Sequence, residues 1–282
     1  MAPIQTKDRV FLVTGGTSGV GKAVATGLAR LGAKVVIVSR TEQGGHTAQD
    51  TIARASGNDR TEFLVADLAD QASIRRLSEE YKRKYDNLHV LANLAGAISF
   101  EKTRTKDGLD MTFAVNYLGH FLLTNLMLDV LKESAPSRVV TVAGAPRFIK
   151  SAKIHFDDIQ FDKQFNGLNA SAQAMYARVL FTFELAKRLE GTGVTANAFH
   201  PGLVKSNLVR KAPPFLKMLT SVMNALAKAD CAVGVELSAN PRFEKISGAF
   251  FNDKMDRVPS IETYDRVSAE KLWSISEALT KP

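Results

Sequence analysis

The stretch VFLVTGGTSGVG, residues 10–21, decides the fold of this chain. Residues 10–14 are apolar or β-branched without a break, which is typical of a buried parallel strand. Gly15, Gly19 and Gly21 then precede a long helical pattern. Glycines at such a turn let a diphosphate approach the backbone, and the free N–H groups at a helix start favour negative charge. The stretch therefore predicts a phosphate-binding loop between a strand and a helix.

The strand that follows strengthens this prediction, because its end carries a basic side chain. Helical spacing over residues 20–31 leads to KVVIVS over Lys34–Ser39, a second apolar strand. In such a β-α-β unit an acidic residue after the second strand binds the ribose hydroxyls of NAD, whereas arginine accommodates the 2′-phosphate of NADP. Arg40 occupies this place, with Glu42 close by. NADP(H) is therefore the expected cofactor.

Strands and helices alternate along the rest of the chain. Further strands are predicted at residues 62–66, 89–92, 138–142, 194–199 and 248–251, and further helices at residues 43–55, 71–85, 107–132, 170–190 and 269–279. Connections of this length require parallel strands with right-handed crossovers. The expected fold is a single-domain α/β Rossmann fold over residues 1–282, with a doubly wound parallel sheet of about seven strands.

Ligands bind such a sheet beyond the carboxyl ends of its strands, where the strand order reverses. Gly15, Arg40, Asp67 and Asn93 each follow or end a predicted strand and should converge there on one crevice. The apolar segment within residues 207–230, which contains FLKMLTSVMNAL, is predicted to form a lid over an oily substrate pocket, the alternative being a surface helix.

Composition narrows the class of protein. The formal net charge of +8 favours an anionic ligand, and a phosphorylated cofactor would be such a ligand. The sequence has no basic patch with interleaved aromatic residues, so we do not expect nucleic-acid binding. Cys231 is the only cysteine, so no intrachain disulfide can form. No run is long enough to span a bilayer, and the first residues lack the apolar core of a signal peptide. We expect a cytoplasmic protein without a metal site.

Further motifs carry a family resemblance: NLAG at residues 93–96, VNYLGHF around Asn116, LFTFELAKRL at 180–189 and HPGLVKS at 200–206. With the glycine loop they resemble the short-chain dehydrogenase/reductase family, and within it the retinol-dehydrogenase-like branch. The resemblance implies a lipophilic small-molecule substrate and a possible homodimer. It also implies cofactor contacts from Gly15, Thr17, Ser18, Gly19, Val20, Gly21, Arg40, Asp67, Leu68, Asn93, Ala95, Gly96, Pro201, Gly202, Val204 and Ser206.

The same resemblance predicts a departure at the catalytic positions. Family members use a Tyr, a Lys four residues later on the same helical face, and a Ser after a preceding strand. Counting back from LFTFELAKRL places Ser171 at the Tyr position and Met175 at the Lys position, while Gly144 stands where the Ser is expected. Asn116 and Ser171 are then the candidate catalytic residues. Asn116 could hold a water or satisfy backbone groups in a distorted helix.

Other polar residues near the expected pocket are weaker candidates for a catalytic acid or base. Tyr176 lies about 100° around the helix from the Lys position, so we expect it to pack rather than to act as the acid. His155, Asp157 and Asp158 lie in an irregular insert and could supply a new acid or base, although a solvated loop is their commoner role. His200 precedes Pro-Gly and is expected to be structural.

Three functions fit these residues. The first is NADP(H)-dependent reduction of an iminium, a quinoid species or an activated C=C bond, in which hydride transfer needs mainly orientation. The second is a non-redox cyclase or isomerase using the same crevice. The third is a non-catalytic NADP-binding protein. General acid catalysis is worth about 10²–10⁴-fold, so we expect ordinary ketone reduction to be severely impaired.

Overall fold

One parallel sheet forms the centre of the computed structural model, which describes residues 6–205, 227–262 and 265–281. Its strands are β1 Val10–Thr14, β2 Lys34–Ser39, β3 Thr61–Val65, β4 Val90–Asn93, β5 Ser137–Val142, β6 Val194–Phe199 and β7 Ala249–Phe251. They lie in the order β3-β2-β1-β4-β5-β6-β7, and all neighbours are parallel. The order reverses between β1 and β4, which confirms the predicted single-domain Rossmann fold.

Helices cover both faces of the sheet. Among the described residues they are α1 Gly19–Arg30, α2 Glu42–Ser56, α3 Gln71–Lys84, α4 Met111–Phe113, α5 Gly119–Leu126, α6 Leu128–Glu133, α7 Pro146–Ser151, α8 Gly167–Arg188, α9 Ala232–Ala239, α10 Pro259–Glu262 and α11 Arg266–Leu279. A π-helical turn, Ala114–Leu118, joins α4 to α5. Short 3-10 turns occupy Phe156–Asp158 and Pro241–Phe243. None of these described helices is long and apolar enough to cross a membrane.

Alternate side chains of each strand enter two different cores. On β1, Leu12 packs with residues of α3, α5, α8 and α11, whereas Phe11 and Val13 pack on the opposite face with residues of α1, α2 and α9. Successive strand residues point to opposite faces, so a strand covered on both sides has to be apolar throughout. This burial on both faces explains the unbroken apolar runs of β1 and β2. It also holds the ends of these strands, where the candidate site lies, in fixed positions.

The helix predicted over residues 107–132 is wrong in its start and in its continuity. Gly108 has a positive φ of 74°, and the chain becomes helical only at Met111, where the Asp110 carboxylate accepts a bond from the N–H of Phe113 at 2.9 Å. The π-helical turn then interrupts the helix around Asn116. Part of the predicted irregular insert is also helical, as α7 and a 3-10 turn, and neither α9 nor α10 was predicted.

Most of the predicted lid, and Ser206 before it, lies outside the described residues. Next to this gap Val204 and Lys228 form a parallel bridge, in which the N–H of Lys205 donates to the Lys228 carbonyl at 2.9 Å. The chain therefore returns to the end of β6 after residue 226.

Candidate active site and cofactor crevice

The glycine loop between β1 and α1 is so tightly packed that Gly15, Gly16 and Gly21 have no room for a β-carbon. Gly15 has a φ of 68°, and a Cβ on it would lie 2.7 Å from Cα of Ala95. A Cβ on Gly21 would lie 2.3 Å from the Gly15 carbonyl oxygen. Ser18 caps α1 without a side-chain hydrogen bond, so no side chain occupies the first turn of the helix as an acceptor. This cradle of free backbone amides fits a phosphate group.

Thr14, the last residue of β1, ties this loop to β4. Its hydroxyl accepts bonds from the N–H groups of Leu94 and Ala95, at 2.9 and 3.1 Å, and donates to the Ala92 carbonyl at 3.3 Å. The hydroxyl thereby satisfies the backbone at the place where β1 and β4 diverge. The carboxyl ends of these two strands are held together at the switch point of the sheet.

Arg40 lies at the end of β2 with an exposed side chain. It makes no hydrogen bond or ion pair with the described residues. A cleft of about 380 Å³ opens beside it and is lined by Thr17 and Lys22 from the glycine-loop side and by Thr41 from the α2 side. A free guanidinium and a lysine next to an uncapped helix start form a positive surface that suits a phosphate monoester.

The ends of β3 and β4 carry the other predicted nucleotide contacts. Asp67 is exposed after β3, and its Oδ1 accepts a bond from the N–H of Ala69 at 2.9 Å. Leu68 is 6% exposed. The Asn93 side chain is fully buried and donates to the Thr124 hydroxyl at 2.9 Å, so it points into the protein, while Gly96 is exposed.

Asn116 lies in the π-helical turn, and its side-chain amide is hydrogen-bonded to the loop after β4. Its Oδ1 accepts from the N–H of Ala97 at 2.8 Å, and its Nδ2 donates to the Ala97 carbonyl at 2.7 Å. The side chain is fully buried. Of the two roles considered for this residue, the structure therefore shows the satisfaction of backbone groups in a distorted helix.

The backbone carbonyl of Asn116 instead binds a residue that the sequence reasoning missed. Arg178 of α8 is 1% exposed and donates from Nε to the Asn116 carbonyl, from Nη2 to the Ala95 carbonyl, and from Nη1 to the Val142 carbonyl at 3.0 Å. One guanidinium thus joins the ends of β4 and β5 to the π-helical turn. Burial lowers the pKa of Arg178 to about 9, so it stays a cation at neutral pH.

A sequence signal for Arg178 existed. Arg178 is a lone charge immediately before the VLFTF run of residues 179–183. It comes seven residues after Ser171 and three after Met175, which places all three on one face of a helix.

The three positions at which the sequence predicts a departure from the family pattern lie close together, Ser171 and Met175 on this face and Gly144 against it. A Cβ on Gly144, just after β5, would lie 3.5 Å from Cβ of Met175. The sulfur of Met175 lies 3.8 Å from Nη1 of Arg178. One turn earlier Ser171 is 8% exposed, and its hydroxyl oxygen is buried with no hydrogen-bond partner among the described residues. No ionisable side chain in this group is placed to transfer a proton.

The remaining polar candidates have structural surroundings. Tyr176 is half-buried and packs against two cores, and burial, with a smaller effect of Asp265, raises its pKa. His155 is exposed and contacts the ring of Phe161. The Asp158 carboxylate accepts from two backbone N–H groups of its own loop, while the Asp157 side chain is exposed.

The turn after β6 completes the crevice. The backbone N–H of His200 donates to the carbonyl of Phe251 in β7 at 2.9 Å. Burial of the imidazole lowers the pKa of His200. Gly202 has a φ of 71°, and a Cβ there would lie 2.8 Å from Cβ of Asp253; Pro201 precedes it, and Val204 is 7% exposed. In the described part of the chain no group of three or more His, Cys, Asp or Glu side chains could hold a metal ion.

Comparison with protein families agrees with this geometry. A model described as short chain dehydrogenase matches residues 9–152, which contain the glycine loop, the strand ends and the π-helical turn. This chain belongs to the short-chain dehydrogenase family. Family membership makes it an oxidoreductase fold with a nicotinamide-binding crevice, and the predicted cradle around Gly15 lies where such a fold holds its cofactor.

Curated relatives extend the match beyond the family model. Retinol dehydrogenase 12 of Bos taurus is 39% identical over 97% of this chain and 86% of its own length. Human polyprenol dehydrogenase is 36% identical over 97% of this chain and 85% of its own length. This short-chain dehydrogenase therefore resembles the retinol- and polyprenol-dehydrogenase relatives over nearly its full length.

Solved structures show the same fold. An uncharacterised protein from Mycobacterium paratuberculosis superposes with a TM-score of 0.77 at 28% identity, covering 99% of this chain and 96% of that one. A protein from Beutenbergia cavernae that holds bound NADP superposes with a TM-score of 0.66 at 25% identity, covering 89% of this chain and 97% of that one.

Proposed function

We propose that this short-chain dehydrogenase binds NADP(H) and reduces an activated, lipophilic substrate, such as an iminium, a quinoid species or an activated C=C bond, without the Tyr–Lys acid of its family. The observation that carries the cofactor choice is Arg40, exposed and unpaired among the described residues at the end of β2. A carboxylate at this place would repel the 2′-phosphate, whereas a free guanidinium binds it.

A lipophilic substrate is supported by the apolar side chains around the crevice. Phe148 of α7 and Leu203, which come soon after β5 and β6, are 54% and 43% exposed. Leu168 is 60% exposed in the first turn of α8, where its neighbour Gly167 packs against Ser99 of the loop after β4. Large exposed apolar side chains commonly mark a site that binds an apolar partner. Retinol and polyprenol dehydrogenases are also among the relatives of this chain.

An activated substrate is supported by the side chains along α8. Ser171 offers only a buried hydroxyl, Met175 offers no charge, and the amide of Asn116 is bonded to Ala97 on both of its polar atoms. A ketone needs a proton at oxygen as hydride arrives, and none of these groups supplies one. An iminium becomes neutral on accepting hydride, so orientation by the crevice suffices. Bound NADPH supplies the hydride.

Two measurements test the proposal. NADPH and NADH are titrated separately by nucleotide fluorescence, and NADPH is expected to bind at least about tenfold more tightly through its 2′-phosphate. NADPH carrying deuterium at the transferable position is then mixed with a cyclic iminium, a quinone, a conjugated enal and an unactivated ketone. Deuterium in the iminium and enal products, together with loss of NADPH absorbance with the quinone, supports the proposal, because the hydroquinone exchanges its new hydrogens with water. Ketone reduction at a comparable rate contradicts it.

The covered hydroxyl of Ser171 also favours a second candidate, a protein that binds NADP without redox chemistry. In that case NADPH raises the melting temperature, as any ligand specific to the folded state does, yet no substrate takes up deuterium. A product formed without a change in NADPH absorbance indicates instead a non-redox cyclase or isomerase in the same crevice.

A further inference from the structure

The guanidinium of Arg178 is a buried cation that has no carboxylate partner among the side chains that the structure describes. Its hydrogen bonds within the described chain go to the carbonyls of Ala95, Asn116 and Val142 and to the sulfur of Met175. The undescribed segment 206–226 contains no Asp or Glu. Carbonyl dipoles solvate the guanidinium but leave its charge in place, and that charge acts over a longer distance inside a protein than in water.

Another buried arginine, in contrast, has a carboxylate close to its positive charge. Arg138 of β5 is also 1% exposed and donates to the carbonyls of Leu237 and Asn240, both at 2.9 Å. Its Nη2 lies 3.7 Å from a carboxylate oxygen of Glu244, so a counter-charge accompanies it. Arg138 lies at the amino end of β5, whereas Arg178 bonds the carboxyl end of the same strand through Val142.

The position of Arg178 relative to the crevice is fixed by its neighbours. A Cβ on the exposed Gly96 would lie 3.5 Å from Nη2 of Arg178, so the charge lies directly beneath the surface after β4. Arg40 and Asp67 mark the half of the crevice over β2 and β3. A dinucleotide spans both halves of such a sheet, and the β4–β5 half, above Arg178, is therefore left for the nicotinamide.

We infer that Arg178 makes this site bind NADPH more tightly than NADP⁺, so that the reduced cofactor occupies the crevice and the oxidised cofactor is released. The inference rests on the proposed binding of NADP(H). The oxidised nicotinamide ring carries a positive charge that the reduced ring lacks, so a fixed cation beneath it repels NADP⁺ and leaves NADPH unaffected. The buried His120 experiences the same field: burial first, and then the charge of Arg178, lowers its pKa.

A charge-reversal test uses Met175, which touches the guanidinium and is partly exposed. Met175→Glu places a carboxylate beside Arg178 and cancels its charge without removing its backbone bonds, while Met175→Gln has the same shape without the charge. The dissociation constants of NADPH and NADP⁺ are measured for each variant. Relative to Met175→Gln, Met175→Glu is expected to lower the ratio of the NADP⁺ constant to the NADPH constant about tenfold, or about 1.4 kcal/mol.

Variants of the arginines separate charge from structure. Arg178→Lys keeps the cation and is expected to keep the ratio within about twofold of the native protein even where both affinities fall. Arg138→Met removes the compensated arginine and is expected to change both constants by the same factor. An equal ratio in Met175→Glu and Met175→Gln overturns the inference. Failure of the native protein to bind either nucleotide overturns the proposed function itself, and the two failures are thus distinguishable.

Discussion

Met175 and Arg178 lie against each other on one face of α8, with the methionine sulfur 3.8 Å from Nη1 of the guanidinium. A lysine in place of the methionine would bring a second cation against a buried one. Like charges at this spacing on a helix are unfavourable, and more so where water is excluded. The neutral residue at position 175 is thus matched to the arginine three positions later.

Introducing the Ser, Tyr and Lys that we propose this chain lacks should therefore require four changes rather than three. A Cβ on Gly144 would meet nothing closer than 3.4 Å, so a serine fits there. Gly144→Ser with Ser171→Tyr and Met175→Lys is expected to reduce a lipophilic ketone only weakly, because Arg178 repels the new lysine. Adding Arg178→Gln is expected to raise the rate about 10²-fold, the usual contribution of a general acid. Equal ketone reduction by the triple and quadruple variants would contradict the proposed repulsion.

Arg40→Ala is expected to weaken NADPH about 10- to 100-fold and NADH less than about twofold, because it removes charge-assisted bonds to the 2′-phosphate alone. Fluorescence titration of both nucleotides measures the two changes. The matched control is Arg76→Ala, which removes another exposed arginine, on α3, and should leave both affinities unaltered. A parallel loss of NADPH and NADH binding in Arg40→Ala would mean that the side chain does not recognise the 2′-phosphate.

Asn116→Ala is expected to lower the free energy of unfolding by about 1–3 kcal/mol, since it removes both bonds to the backbone of Ala97. Asn125→Ala removes a single side-chain bond, to the Phe121 carbonyl, and should cost about half as much. Urea unfolding of both variants gives the comparison. Faster amide exchange at Ala97 in Asn116→Ala alone would locate the effect, and an unchanged exchange rate there would count against it.

His120→Gln is expected to flatten the fall in stability on acidification. Burial, and then the charge of Arg178, holds the pKa of His120 well below its usual value. The unfolded chain therefore binds a proton near pH 6.5 that the folded chain does not, so stability is complete above that pH and falls below it, by up to about 1.4 kcal/mol per pH unit. Unfolding free energies of both proteins from pH 7 to 5 measure the slopes. Identical slopes would show that His120 is protonated in the folded protein.

The sequence predicts the sheet well, because strands buried on both faces are apolar without interruption. The strands at Val10–Thr14, Lys34–Ser39 and Val194–Phe199 match the prediction residue for residue. The helix over residues 107–132 was wrong because the apolar spacing there is helical throughout, and a single extra residue in the turn around Asn116 leaves no mark on that spacing.

The site is harder to predict because its geometry depends on contacts between distant segments. The composition of the glycine loop alone indicates phosphate binding. The hydrogen-bond partner of the Asn116 amide, in contrast, depends on the path of the chain after β4. Arg178 was missed for the same reason: its three carbonyl partners come from three segments at least 36 positions away in the chain. Only their assembly shows that a charged residue in an apolar helix is fully bonded.

Ala95 is held from both sides: its N–H donates to the Thr14 hydroxyl, and its carbonyl accepts from Arg178. Its Cα also fills the space that a side chain on Gly15 would need. Ala95 thus contacts the glycine loop, the end of β4 and helix α8 at the same time. A displacement of the glycine loop would therefore disturb the contacts of Ala95 with α8, and we expect the loop, the end of β4 and this helix to move as one unit.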